Sequence, residues 1–259
     1  MEWVEKLGRG IAKIRPTNYS QYAIWGKCGN DLRHNENNWF DISRLKYNRP
    51  ASRGGSATYF GTPVQRSFVT DTMRCYFSFP TVKTLIYKND INKGKTPTGG
   101  FTDHYVFRLA ETYLMRAEAY YWMGNAVGAK NDVNEIRRRA KAPELPSVTL
   151  DDILDERARE LYIEEHRKVE LTRIAFLKAQ LGKDGYSLSN FSEKNWYYDR
   201  VMEKNNFFAE QYFYSTNAFI MKPYHVLWPV PLTAITSNTQ GRINQNIGYF
   251  GAEDNIPVE

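Results

Sequence analysis

The chain has 259 residues, 42% hydrophobic and 25% charged, which excludes the disordered and collagenous classes and suffices for one good-sized core or two small ones. Lys and Arg number 35 against 29 Asp and Glu, a formal net charge of +6. The longest apolar runs, such as 224–230, fall far short of the roughly 20 residues that a membrane-spanning helix takes. The opening Met1-Glu2-Trp3-Val4-Glu5-Lys6 puts charges where a signal peptide has its apolar centre, so the sequence reads either as cytosolic or as lacking its true N-terminus. Aromatic residues reach 15%, with 6 Trp, 18 Tyr and 14 Phe. Many fall in Gly- and Asn-rich stretches that do not form regular core elements, which points to a ligand surface built from loops.

Residues 1–102 read as a loop-rich, ligand-facing region, interrupted by glycine and proline from Gly8 to Gly100, with β-prone runs at 74–79 and 84–87. Nothing in this region buries a core alone, so it must lie over a helical scaffold supplied by residues 103–259, the two together forming one compact domain. Ala110, Leu114, Ala117 and Tyr121 share one helical face and predict a helix over 105–123, broken by Gly124-Asn125. Ala126, Ala129, Val133, Ile136 and Ala140 predict a second over 126–141, ended by Lys141-Ala142-Pro143. The pair should form an antiparallel, tetratricopeptide-like hairpin. Arg137-Arg138-Arg139 with Lys141 is the one dense basic run. Consecutive helical residues fan around the axis, so it reads as a solvated helix end more than as a phosphate-binding patch.

A third, long helix is predicted over 150–181, opened by a Thr149–Asp152 capping box and stopped by Gly182. Asp155 with Arg159 and Glu164 with Lys168 are spaced as i, i+4 pairs. Glu165 continues the stripe of Leu154, Ala158, Leu161 and Thr172, so it should be buried in an ion pair with an arginine rather than catalytic. Residues 191–214 read as a further aromatic helix and 220–249 as an extended tail. The fold class is therefore mainly α: a helical hairpin plus a long helix, covered by a loop-rich region with a few short strands.

Catalytic patterns are missing. The four histidines are scattered, with no HExxH spacing and no CxxC, so neither a metal site nor a cofactor is expected. Gly94-Lys95-Thr96 imitates the end of a phosphate-binding loop, but Asn89 stands where its first glycine belongs. Gly54-Gly55-Ser56-Ala57-Thr58 lacks the closing glycine of a nucleophile elbow. Adjacent carboxylates on one helix point apart, whereas a glycosidase needs two facing across a cleft. Cys28 and Cys75 could bridge in an oxidising compartment, and buried free thiols fit them equally well.

The helical segments then carry a resemblance. FRLAETYLMRAEAY at 107–120, NEIRRRA at 134–140, DERAREL at 155–161 with EHR at 165–167 and LTR at 171–173, and LWPVP at 227–231 with INQNIGY at 243–249 are similar to four motifs of the SusD/RagB family, in the family's order. Glu165-His166, Glu170 and Asn246-Ile247-Gly248 are mild departures. Family members are longer, starting with a lipoprotein signal and further helices, so the chain reads as the C-terminal part of such a protein. The resemblance implies a non-catalytic outer-membrane lipoprotein of the bacterial cell surface. It would capture oligosaccharides and pass them to a SusC-like TonB-dependent transporter, touching the membrane only through a lipid anchor missing from this chain and binding no nucleic acid.

Sugar rings stack their C–H faces on Trp and Tyr while Asn, Arg and Asp bond the hydroxyls. The best cluster for that chemistry is Tyr22, Trp25, Asn30, Asp31, Arg33 and Trp39, with Tyr47 and Tyr59 behind it, and Asp31-Leu32-Arg33 resembles the family's Asp-Pro-Arg. Two readings of other kinds stay open: a peptide-binding member of the fold or helical interaction module, and an α-helical glycosidase.

Overall fold

A computed structural model describes residues 16–39, 44–65, 83, 105–204 and 221–257. The fold is mainly α; among the described residues there is no named strand, only a single antiparallel bridge between Lys46 and Pro63. The runs at 74–79 and 84–87, and Cys75, lie outside the described residues. The chain divides into two compact units, Met1–Glu165 and His166–Glu259.

In the first unit a one-turn helix α1 (Asn18–Gln21) precedes the hairpin of α2 (Leu109–Trp122) and α3 (Ala126–Arg139). A three-residue connection makes the two helices antiparallel. Asn125 caps α3, its side chain accepting from the Gly128 amide at 2.9 Å. Gly128 itself is required for another part of the geometry: a Cβ there would stand 2.7 Å from the Tyr120 ring, so glycine lets the helices approach this closely. Ala110, Leu114, Ala117, Ala129, Val133 and Ile136 are all buried, and most of them join Val148, Ile153 and Leu161 in one apolar cluster. The hairpin and its interface thus follow the sequence period. Helix α2 begins at Leu109 rather than 105, because Arg108 is extended and sends its guanidinium elsewhere.

The third predicted helix is two helices. Helix α4 (Leu150–Glu160) opens on the expected capping box, Thr149 and Asp152 bonding each other's amides at 2.8 and 3.2 Å. It stops after Glu160, the chain turns through Ile163 at φ +68, and α5 (Arg167–Gln180) begins anew. The break has a physical cause in the Arg157–Glu165 ion pair, 3.0 Å long and almost fully buried. On an unbroken helix eight residues would separate them by about 12 Å along the axis, out of reach. Glu165 is therefore buried against an arginine, as the stripe suggested, though not on a helix. Glu164 and Lys168 share no helical turn.

The second unit packs α5 with α6 (Trp196–Lys204) around Leu171, Ile174, Ala175, Phe191, Tyr197 and Val226. Of the helix predicted over 191–214, residues 196–204 are helical and the part from 205 lies outside the described residues. The expected extended tail instead holds a turn of helix at Pro223–Val226 and α7 (Leu232–Thr236), which starts directly after Pro231, where a proline is tolerated at a helix start. Polar side chains fasten this segment. Gln245 accepts from the Val230 amide at 2.8 Å and donates to its carbonyl at 3.0 Å, and Tyr249 donates to the Leu227 carbonyl at 2.8 Å. No helix among the described residues is long and apolar enough to cross a membrane.

Leu114 is fully buried at the hairpin crossing. Leu114→Ala is expected to cost about 2–5 kcal/mol in urea denaturation; a loss below about 1 kcal/mol would mean that this side chain does not centre the core.

Candidate functional site

Helix α4 places Glu156 and Glu160 four residues apart on one buried face. Glu156 accepts from Arg33 Nη1 at 2.7 Å, Arg137 Nη1 at 2.9 Å and Arg159 Nη2 at 2.8 Å. Glu160 accepts from Arg33 at 2.9 Å, Arg139 at 2.6 Å and Arg108 at 2.5 Å. Glu164, at the edge, is held by Arg108 and Lys83 at 2.5 and 2.9 Å. Burial pushes the Glu156 carboxyl up, but Arg33 and Arg159 outweigh it and hold the group below the usual carboxylate range. Glu164 is depressed in the same way, burial being overcome by Lys83 and Arg108. Of the basic run, Arg137 is buried against Glu156, whereas Arg138, Arg139 and Lys141 are exposed at the helix end, Arg139 reaching in to Glu160 and Arg138 lying between Glu135 and Glu144.

The Asp31-Leu32-Arg33 segment feeds the same network. Asp31 is buried, accepts from the Arg33 amide at 2.9 Å and grips its guanidinium with both oxygens at 3.0 and 2.6 Å. Trp25 lies beside it, 9% exposed, its Nε1 donating to the Ser20 carbonyl at 2.9 Å. His34 stacks on Trp25 with centroids 4.4 Å apart, and Arg33 lies 5.9 Å from the same ring. Trp39, also buried, sits 5.4 Å from His34 and 5.0 Å from Tyr162, whose hydroxyl burial pushes up to about 12. Cys28 is a free buried thiol next to Ile24 and Trp25. Trp25, Asp31, Arg33 and Trp39 are thus brought together as an interior cluster against α4. Tyr22 is half-buried and Asn30 exposed at its edge.

Tyr47 and Tyr59 stand apart, on a loop closed by its own backbone. Val64 donates to the Leu45 carbonyl at 2.7 Å, Tyr47 to Thr62 at 3.0 Å and Gly61 to Tyr47 at 2.8 Å. At the tip, the Arg53 and Gly55 amides both donate to the Pro50 carbonyl at 3.0 Å. A Cβ on Gly55 would fall 1.8 Å from the Arg49 carbonyl oxygen, so this turn closes only with glycine. The Tyr47 and Tyr59 rings lie 5.5 Å apart at 44°, and burial together with the Tyr59 neighbour pushes the Tyr47 hydroxyl up. Tyr59 is 38% exposed, and Phe60 next to it 51%. Exposed aromatic faces of this kind suit stacking on the apolar face of a ligand. Phe60 and His34 were missed by sequence reasoning; the aromatic run Tyr59-Phe60 between glycines was the one signal that could have found Phe60. Among the described residues no three His, Cys, Asp or Glu groups converge to hold a metal ion.

Comparison with known proteins adds two findings. The model of the SusD family matches residues 10–249. A starch-binding protein SusD of Bacteroides thetaiotaomicron is 29% identical over 169 residues, 65% of this chain and 25% of that protein. The match thus spans about a quarter of the relative's length.

Two outcomes follow from the buried groups. A carboxylate whose folded pKa is depressed adds stability above its unfolded value, here near 4.5, and loses it as the pH falls through the folded value. Glu156→Gln is expected to destabilise by about 3–5 kcal/mol at pH 7, because it leaves buried arginines without their countercharge. The gap between the two proteins should narrow below pH 4.5 in denaturation titrations; a gap independent of pH would show that the charge is not what matters. Trp25→Ala should lower stability by about 3–5 kcal/mol, read by thermal unfolding.

Proposed function

Because the chain belongs to the SusD family, we propose that it binds oligosaccharide at the bacterial cell surface, without cleaving it, for delivery to a SusC-like TonB-dependent outer-membrane transporter. Family membership across residues 10–249 is the single observation that carries this reading. The similar Bacteroides protein is named for starch binding, which supports a carbohydrate as the ligand class. The described surface supplies suitable chemistry. Tyr47 and Tyr59 offer ring faces for sugar C–H groups, and Tyr22 and Asn30, at the edge of the Trp25 cluster, are further groups suited to sugar contact. Trp25, Trp39, Asp31 and Arg33 take the supporting role of holding the chain from which those groups project.

The non-catalytic half of the proposal draws on the α4 carboxylates. Hydrolysis of a glycoside needs a general acid that is protonated near neutral pH. Glu156 and Glu164 are held ionised by arginines and lysine, and Glu160 accepts from three arginines. Attachment in this reading is to the outer membrane through a lipid anchor.

Calorimetric titration of the chain with a panel of oligosaccharides tests the proposal. Tyr59→Ala is expected to weaken binding by about 1–3 kcal/mol, roughly tenfold to a hundredfold, with the melting temperature almost unchanged. The bound oligosaccharide should remain intact on prolonged incubation, and reducing ends released above a heat-killed control would overturn the non-catalytic reading.

A further inference from the structure

Of the five tryptophans among the described residues, Trp25 and Trp39 are buried, Trp122 and Trp196 are half-buried, and Trp228 is exposed, at 68%. We infer that the Trp228 indole is a second sugar-stacking contact, carried by the LWPVP segment of the unit His166–Glu259. The inference deepens the carbohydrate-binding reading and rests on it.

An exposed ring serves as a stacking platform when it is already held, because ordering a loose one on binding costs free energy. Trp228 is held through its backbone and through its ring. Its carbonyl accepts from Asn246 Nδ2 at 2.7 Å, the Leu227 carbonyl accepts from the Tyr249 hydroxyl at 2.8 Å, and Val230 exchanges two bonds with Gln245. Gly248 lets that second strand of chain close in, since a Cβ there would fall 2.3 Å from the Tyr224 ring. At the ring, the Lys168 ammonium lies 4.8 Å from the indole centroid and 4.9 Å from that of Tyr197. It is anchored by donating to the His225 and Val226 carbonyls, the latter at 3.2 Å. The attraction between this fixed cation and the two rings sets the orientation of the indole.

A sugar ring presents C–H groups to an aromatic face and hydroxyls around its edge. Groups that can bond those hydroxyls adjoin Trp228. An ammonium has three N–H donors, and with two given to carbonyls Lys168 keeps one. Asn246 gives its Nδ2 to the Trp228 carbonyl and keeps its amide oxygen as an acceptor. Residues 223–241 contain no Asp, Glu, Lys or Arg, so a ligand on this segment is selected by ring face and hydroxyls more than by charge.

The test is calorimetric titration of the whole chain with maltoheptaose, cellohexaose and mannohexaose, together with acrylamide quenching of tryptophan fluorescence with and without each sugar. At least one sugar is expected to bind, Trp228→Ala weakening it about fivefold or more and Trp228→Phe retaining most of the affinity. That sugar should shield the unaltered chain from quenching, and the shielding should be largely lost in Trp228→Phe, because the other described tryptophans are less exposed. Trp228→Ala should melt close to the unaltered chain. If it proves unstable, Trp228→Phe and the quenching of the unaltered chain give the same decision. Sugar binding undiminished in Trp228→Ala, with quenching indifferent to sugar, would overturn this inference and leave the carbohydrate reading standing. So would a Trp228→Ala protein that binds sugar normally but loses self-association in sedimentation, which would make the ring a protein contact. Binding of none of the three sugars by either measurement would overturn both readings together.

Discussion

Two carboxylates that α4 carries into the interior organise the first unit. An ionised Glu156 or Glu160 buried without partners would cost several kcal/mol, a large share of an ordinary protein's stability. Their partners come from separated parts of the chain: Arg33 from the loop region, Arg108 from the approach to α2, Arg137 and Arg139 from the last turn of α3. Each segment must be in place for the charges to balance. The hairpin, α4 and the loop region are thereby tied to one another by charge as well as by apolar contact.

The same network holds the described stretch 16–39, whose own apolar cluster is small. Asp31 grips Arg33, Arg33 bridges to both α4 carboxylates, and Trp25, His34 and Trp39 stack beside that bridge. The aromatic content that looked like a ligand surface therefore does two jobs. In one stretch it seals the ion network from water, which strengthens every charged contact inside. In the other, on the loop that carries Tyr47 and Tyr59, backbone bonds help to close the chain and Tyr59 is exposed. A ligand surface on that loop needs no core residue to be exposed.

The motifs through which the sequence resembles the family gain a physical meaning from the same network. In DERAREL and the residues that follow it, Glu156, Arg157, Arg159, Glu160 and Glu165 are members of buried ion pairs. In the closing motif, Gln245 and Tyr249 replace missing strand partners for residues 227–230. In this chain these residues satisfy buried charges and backbone groups.

Periodicity alone determined the hairpin: Ala110, Leu114, Ala117, Val133 and Ile136 mark faces that only one antiparallel pairing buries. Local chemistry likewise determined the Thr149–Asp152 cap, and the burial of Glu165 was legible from its place among apolar neighbours. The break after Glu160 was not, since the apolar stripe runs on past it and its cause is an ion pair that forms only when the helix ends. Trp25 and Trp39 sit in Gly- and Asn-rich sequence that has no period, so nothing local distinguishes an interior ring from a surface one. That Arg137 would point inward and Arg138 outward was decided by carboxylates on α4, some twenty residues further along the chain. Sequence pattern reports what a segment does with its own neighbours; long-range charge partners and the depth of a loop exist only once the segments have packed.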